Sequence, residues 1–224
     1  MNRRNFLVTA TLTPFIIVAG CTSDEEPGTG PPGEAVTDPI RTEYLGDEDE
    51  RIEDIDIELD GAVGFVIIHD GSDAFSVDIT PKENAEDQSE TLIDEAGYAG
   101  ANLQDISVGT YDLIIESNES WVVEIVQHPV YTADMVSPEF PAETAGQTDD
   151  FFGPVNMTQE LSMSVTAEGE GANRVDIRNS TGTLVDTPIE GTGPLEETAG
   201  IVIEDDIGWI DVQMSGGYEL TVTD

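Results

Sequence analysis

Positive charge is nearly missing from this chain. One lysine, Lys82, and six arginines stand against 48 Asp and Glu in 224 residues, a formal charge of −41 at pH 7. Nucleic acid and acidic lipid need clustered cations at their phosphates, so both are poor partners. Cysteine is as scarce: Cys21 stands alone, which excludes an intramolecular disulfide. Imidazole is limited to His69 and His128, enough for at most a two-histidine metal site or one acid–base pair. No apolar run reaches the roughly 20 residues that a membrane-crossing helix needs. No stretch shows sustained helical periodicity with caps, so little helix is expected. The G-x-S-x-G elbow, the H-E-x-x-H pair, the Walker loop and a G-x-G-x-x-G before a helix are all missing. An enzyme is therefore not expected, and neither a catalytic residue, a cofactor nor a metal ligand is assigned.

What is present begins with the carboxylates. So much like charge on a small protein opposes compaction in dilute buffer, whereas in molar salt the Debye length falls to about 3 Å and screens most of the repulsion. The composition points to a halophile. A disordered acidic chain would share this charge, but the apolar residues of the body alternate in an ordered way.

The N-terminus reads as an address. Arg3-Arg4-Asn5-Phe6-Leu7 resembles the twin-arginine export consensus, a short apolar stretch runs from Val8 to Gly20, and Val18-Ala19-Gly20-Cys21 resembles a lipobox. Residues 1–21 are read as a signal peptide with Arg3, Arg4, Phe6 and Leu7 as the export signal and Cys21 as the site of lipid attachment. Two hydrocarbon chains on Cys21 would anchor the protein stably, at about 0.8 kcal/mol per buried methylene. Cleavage before Cys21 would remove two arginines and no acid, so the anchor has to be hydrophobic. The membrane is thus the expected partner, through that lipid, on the extracellular face. Residues 22–50, rich in Pro, Gly and acids, are read as a disordered tether spanning roughly 25–30 Å.

The body reads as all-β. Ile55, Ile57 and Leu59 alternate with Asp56, Glu58 and Asp60; further strand-like runs are 64–68, 74–79, 109–115 and 121–126, separated by Gly/Asp/Ser/Asn turns. The Asp56-x-Glu58-x-Asp60-Gly61 run looks like the opening of a calcium loop. Its twelfth position is Ile67, where an EF-hand needs a bidentate Glu, so a solvated strand face is the better reading.

An internal repeat divides the body. Residues 64–79 align without a gap on 162–177, matching Gly71/Gly169, Ala74/Ala172, Val77/Val175, Asp78/Asp176 and Ile79/Ile177. Ala99-Gly100 then answers Ala199-Gly200, Gly109-Thr110-Tyr111-Asp112-Leu113 answers Gly208-Trp209-Ile210-Asp211-Val212, and Trp121 answers Tyr218. Two tandem antiparallel β-sandwiches follow: module 1 over 51–130, a linker over 131–152 and module 2 over 153–224. A single larger sandwich built from both halves is the alternative.

Phe75-Ser76-Val77, Gly97-Tyr98-Ala99-Gly100, Gly109-Thr110-Tyr111-Asp112-Leu113 and the strand from Trp121 to Pro129 resemble a β-module that recurs in exported, lipid-anchored proteins of haloarchaea and some bacteria. That family is of unknown function. The resemblance implies location and fold only, and transfers no catalytic role.

A few other side chains have the chemistry for a site. His69 before Asp70-Gly71 and His128 before Pro129 read as strand ends; a hydrolase would need one of them beside a polar nucleophile in a cleft. Lys82 beside Pro81 is a weak Schiff-base candidate. Trp121 and Tyr111 are in phase with core residues, whereas Trp209 is out of phase with Ile210, Val212 and Met214; it is the one aromatic that phase sets outside the core, and a half-covered rim position is expected for it. The triplets at Asn118, Asn156 and Asn179 permit N-glycosylation. The functional expectation is a lipid-anchored, non-catalytic interaction or spacer unit of the cell envelope, with a protein or glycan partner. A protein binding divalent cations or a small ligand through its acidic loops is the alternative.

Overall fold

The computed structural model describes residues 38–83, 89–136, 142–158, 160–202 and 207–224. Module 1 contains β1 (Ile40–Gly46), β2 (Glu50–Ile57), β3 (Val63–His69), β4 (Ser76–Pro81), β5 (Glu90–Asp94), β6 (Ala99–Gln104), β7 (Gly109–Glu116) and β8 (Trp121–Gln127). Module 2 contains β9 (Ala142–Gly146), β10 (Asp150–Asn156), β11 (Leu161–Ala167), β12 (Ala172–Asn179), β13 (Leu184–Thr192), β14 (Leu195–Ile201), β15 (Ile207–Met214) and β16 (Tyr218–Thr223). Apart from a one-turn 3-10 helix at Ala133–Met135, the described secondary structure is strand.

Each module pairs its eight strands into two four-stranded antiparallel sheets. In module 1 the orders are β1-β8-β3-β6 and β2-β7-β4-β5; in module 2 they are β9-β16-β11-β14 and β10-β15-β12-β13. Adding eight to every strand number of module 1 gives module 2. This order of eight strands in two facing sheets is the jelly-roll arrangement. Alternation supplies each core: Val63, Phe65 and Ile67 of β3 face inward with Leu113, Ile115, Val123 and Ile125, and Leu161, Met163 and Val165 of β11 do the same with Ile210, Val212, Leu220 and Val222.

The repeat extends into details. β2 and β10 carry the same two-residue irregularity, between Ile52 and Ile55 and between Phe152 and Val155, each against its central partner strand. Trp121 and Tyr218 occupy equivalent positions, opposite His69 and Ala167 respectively. Across the other edge of each aromatic lies a glycine, Gly46 in β1 and Gly146 in β9. A Cβ on Gly46 would stand 2.2 Å from Trp121 Cζ2 and one on Gly146 2.6 Å from Tyr218 Cε1, so the ring lies over bare backbone.

This device corrects the boundaries expected for the tether, the linker and both modules. Residues 40–46 belong to module 1 as β1, because β8 would otherwise expose an unpaired edge and Trp121 an uncovered ring. For the same reason β9 and the start of β10, expected in the linker, belong to module 2. The expected signal peptide, with Arg3, Arg4, Phe6, Leu7 and Cys21, and residues 22–37 lie outside the described residues.

Two of the repeat matches shift. β3 and β4 superpose on β11 and β12 with the spacing read from the sequence. The ladders, however, set Gly100 against Glu197 and Asp112 against Trp209, so Ala199-Gly200 is three positions away from the equivalents of Ala99-Gly100.

Phe65→Ala removes a fully buried ring from module 1. It is expected to cost about 3–5 kcal/mol in denaturant unfolding at constant molar salt, whereas the exposed Thr166→Ala should change stability by about 0.5 kcal/mol or less.

Candidate functional site

The outer faces of the two modules differ, and the difference builds the junction between them. Trp209 projects from β15 away from the core of module 2, as its phase requires, yet none of its surface is exposed. Ala62, Leu103, Tyr131 and Phe151 cover it. The expected half-covered rim position of Trp209 is therefore overturned: the phase was right, but the outer face of the β10-β15-β12-β13 sheet is closed by module 1. His128 completes the box, with its ring 4.5 Å from that of Trp209, 6.0 Å from Phe151 and 6.2 Å from Tyr131.

Module 1 meets this face with one corner of its β1-β8-β3-β6 sheet. Gly64, Ala101, Leu103 and Val126 sit side by side on the ladders of β3, β6 and β8. Gly64 admits the Phe151 ring so closely that a Cβ there would lie 2.6 Å from Phe151 Cζ. Polar contacts fix the register: the Ala101 amide donates to the Asp149 carbonyl at 2.9 Å, the Ala62 amide to the Ser180 carbonyl at 3.3 Å, and the Tyr98 hydroxyl to Asp149 Oδ2 at 3.3 Å. Thr183 Oγ1 donates to Asp105 Oδ2.

Beside the aromatic box lie two carboxylates. Asp176 and Asp211 face each other across β12 and β15, each 1 % exposed. Arg174 Nε donates to Asp176 at 2.7 Å and Arg178 Nε to Asp211 at 2.8 Å. Burial, reinforced by the Asp176 charge, raises the Asp211 carboxyl to about 6 against the pull of Arg178, and its Oδ1 has no protein partner. Burial lowers His128 to about 4, with the Arg41 charge acting in the same direction, and neither ring nitrogen has a protein partner. Module 1 has one buried carboxylate of its own, Asp112, clamped by Arg51 and Lys82 and held below its ordinary range chiefly by the Arg51 hydrogen bond. With Arg41 on Glu124, all five described cations are paired with carboxylates. Lys82, the candidate amine, is thus held as an ammonium by Asp54 and Asp112.

The histidines are not brought together. His69 closes β3 opposite Trp121 at one end of β8, stacked on Phe75 with ring centroids 4.3 Å apart, and its Nδ1 accepts from the Gly97 amide. His128 follows the other end of that strand, roughly 20 Å away at the usual rise per residue. Tyr111 lies half-buried against the core and Trp121 within it, as their phases indicate. Asp56, Glu58 and Asp60 are exposed, Asp56 accepting from Thr110 Oγ1. Among the described residues no cluster of three acidic, histidine or cysteine side chains is poised for a metal ion. Of the sequons, Asn118 is exposed in the β7–β8 turn, whereas Asn156 and Asn179 fold back to accept from Thr158 and Thr181.

Two tests follow. Trp209→Ala is expected to loosen the junction by about 3–5 kcal/mol, read as faster hydrogen exchange at the Ala101 amide with both module cores still protected. The pH test separates His128 from Asp211. His128 lies below its ordinary 6.5 when folded, so its contribution is lost as pH falls from 6.5 towards 4; Asp211 lies above its ordinary 3.8, so its contribution is lost as pH rises from 3.8 towards 6. Each amounts to about 3 kcal/mol across its window. The stability advantage of wild type over His128→Phe should therefore grow between pH 4 and 6.5, and that over Asp211→Asn should shrink between pH 4 and 6, both measured by denaturant unfolding.

No family model matches the chain, and no curated protein is significantly similar to it. Solved structures with a weak similarity to the chain include a cupin 2 conserved barrel domain protein from Leptotrichia buccalis, 11 % identical over 83 % of each chain with a TM-score of 0.26. A Sulfolobus Turreted Icosahedral Virus structure is 12 % identical over 91 % of this chain and 99 % of the other, with a TM-score of 0.29. An oxalate decarboxylase–formate complex from Lactobacillus farciminis is 11 % identical over 84 % and 77 %, with a TM-score of 0.28. At these scores the likenesses carry no argument about what the chain does.

Proposed function

We propose that the chain is an exported, lipid-anchored protein of a halophile's envelope, in which two docked β-sandwiches form a non-catalytic interaction or spacer unit. The observation that carries this reading is the sequence around Cys21, where a lipobox follows a twin-arginine pattern at the spacing an exported lipoprotein needs. The arrangement of reactive groups supports it: the two histidines stand at opposite ends of a strand, and the one described lysine is bound in an ion pair. An acidic surface whose few described cations are all paired with the protein's own carboxylates suits a solvent in which repulsion is screened. A docked pair of domains on an acidic tether would present a binding surface within the tether's reach of the membrane.

Cys21→Ser is expected to move the protein from the membrane fraction to the soluble one, and Arg3→Lys with Arg4→Lys to leave unprocessed precursor inside the cell. Fractionation with mass analysis of the processed N-terminus checks both. A wild-type chain recovered from the cytosol with an unmodified Cys21 would end the proposal.

A further inference from the structure

The junction has two halves, and each has a counterpart in the other module. The receiving half is the outer face of the β10-β15-β12-β13 sheet, with Phe151 and Trp209. Aligning β4 with β12 places Arg51 at the position of Phe151 and Asp112 at that of Trp209, because Arg51 and Phe151 stand opposite Ile114 and Asp211, and Asp112 and Trp209 opposite Thr80 and Arg178. An ion pair thus occupies in module 1 the two sites that the aromatic pair occupies in module 2.

The inserting half is the corner made by Gly64, Ala101, Leu103 and Val126. The equivalent positions in module 2, read through β11, are Ser162, Thr198, Gly200 and Thr223. Thr198, Gly200 and Thr223 are exposed, and nothing lies within 4 Å of where a Gly200 side chain would begin. Next to this corner, Glu196 and Glu197 stand where β6 has Ala99 and Gly100. A ring laid on this corner would meet Ser162, Thr198 and Thr223 where module 1 offers Gly64, Ala101 and Val126, and two glutamates flank its edge.

We infer that the docking interface is single-use: the apolar corner and the aromatic face each occur once in the described chain, they are spent on each other, and their repeat equivalents are polar, so the tandem closes as a two-module monomer. Two modules of one fold that dock head to tail would otherwise present a free face at one end and a free corner at the other. That is the heterologous geometry that extends into fibres when it does not close. Arg51/Asp112 at one end and Ser162/Thr198/Gly200/Thr223 at the other stop it. The occupant that each would accept, once converted, is a second copy of this chain. This inference does not depend on the lipid anchor or on export.

The test installs each half separately in the full chain. One variant carries Arg51→Phe and Asp112→Trp; the other carries Ser162→Gly, Thr198→Ala, Gly200→Leu and Thr223→Val. Light scattering after size exclusion in molar potassium chloride should find wild type and each variant alone at monomer mass. An equimolar mixture of the variants should double that mass, and a chain carrying all six changes should grow with concentration. A mixture that stays monomeric while both variants keep the wild-type circular dichroism and cooperative melting overturns the inference, as does a wild type that self-associates. Where a variant fails to fold, the reverse exchange decides: Phe151→Arg with Trp209→Asp should undock the modules and split one melting transition into two. A single unshifted transition refutes the idea.

Discussion

The two modules act as one unit because the outer face of one sheet is apolar where its counterpart is charged. A sandwich needs only its inner faces to fold, so every outer-face row is free to be polar, and the row containing Arg51 and Asp112 keeps to that rule. The row with Phe151 and Trp209 breaks it. The core of module 2 does not need those rings, and they become buried only because module 1 supplies a corner stripped of side chain at Gly64 and small at Ala101. Full burial of two such rings is worth several kcal/mol.

Covering that face has a consequence for charge. Asp176 and Asp211 sit on the outer face of the same sheet and are removed from water beside the docked rings. A buried carboxylate without a partner would be far more costly than the docking could offset. Arg174 and Arg178 answer this, and Arg51 with Lys82 does the same for Asp112. Four of the five described cations thus pair with these three aspartates, and the fifth, Arg41, pairs with Glu124.

Much of the fold was legible because alternation with period two is a local signal. The phases of Ile55/Ile57, Tyr111/Leu113 and Trp121/Val123 place those residues correctly, and the gapless match of 64–79 with 162–177 gives the repeat. The stretch 40–46 was not legible as a strand: Ile-Arg-Thr-Glu-Tyr-Leu-Gly pairs through its backbone at a sheet edge, where side chains say little, and the Gly46–Trp121 contact joins residues 75 positions apart. The same limit hides the junction. Phase shows that Trp209 points away from its own core, but only the tertiary arrangement shows that another module waits there. The Ala99-Gly100/Ala199-Gly200 match misleads for a related reason, since identity over two small residues carries no register.

Salt ties these strands together. Among the described residues every ion pair lies within one module, and none crosses the junction. The modules are held by buried rings and by short hydrogen bonds such as Ala101 to Asp149, while their net charges repel. Screening shrinks the repulsion without weakening the attraction, and salts excluded from the surface strengthen apolar burial further. An interface stitched by cross-module salt bridges would lose its attraction in brine together with the repulsion. With the scarce cations paired inside modules and hydrophobic rings between them, the junction keeps its attraction in high salt while the repulsion across it is screened.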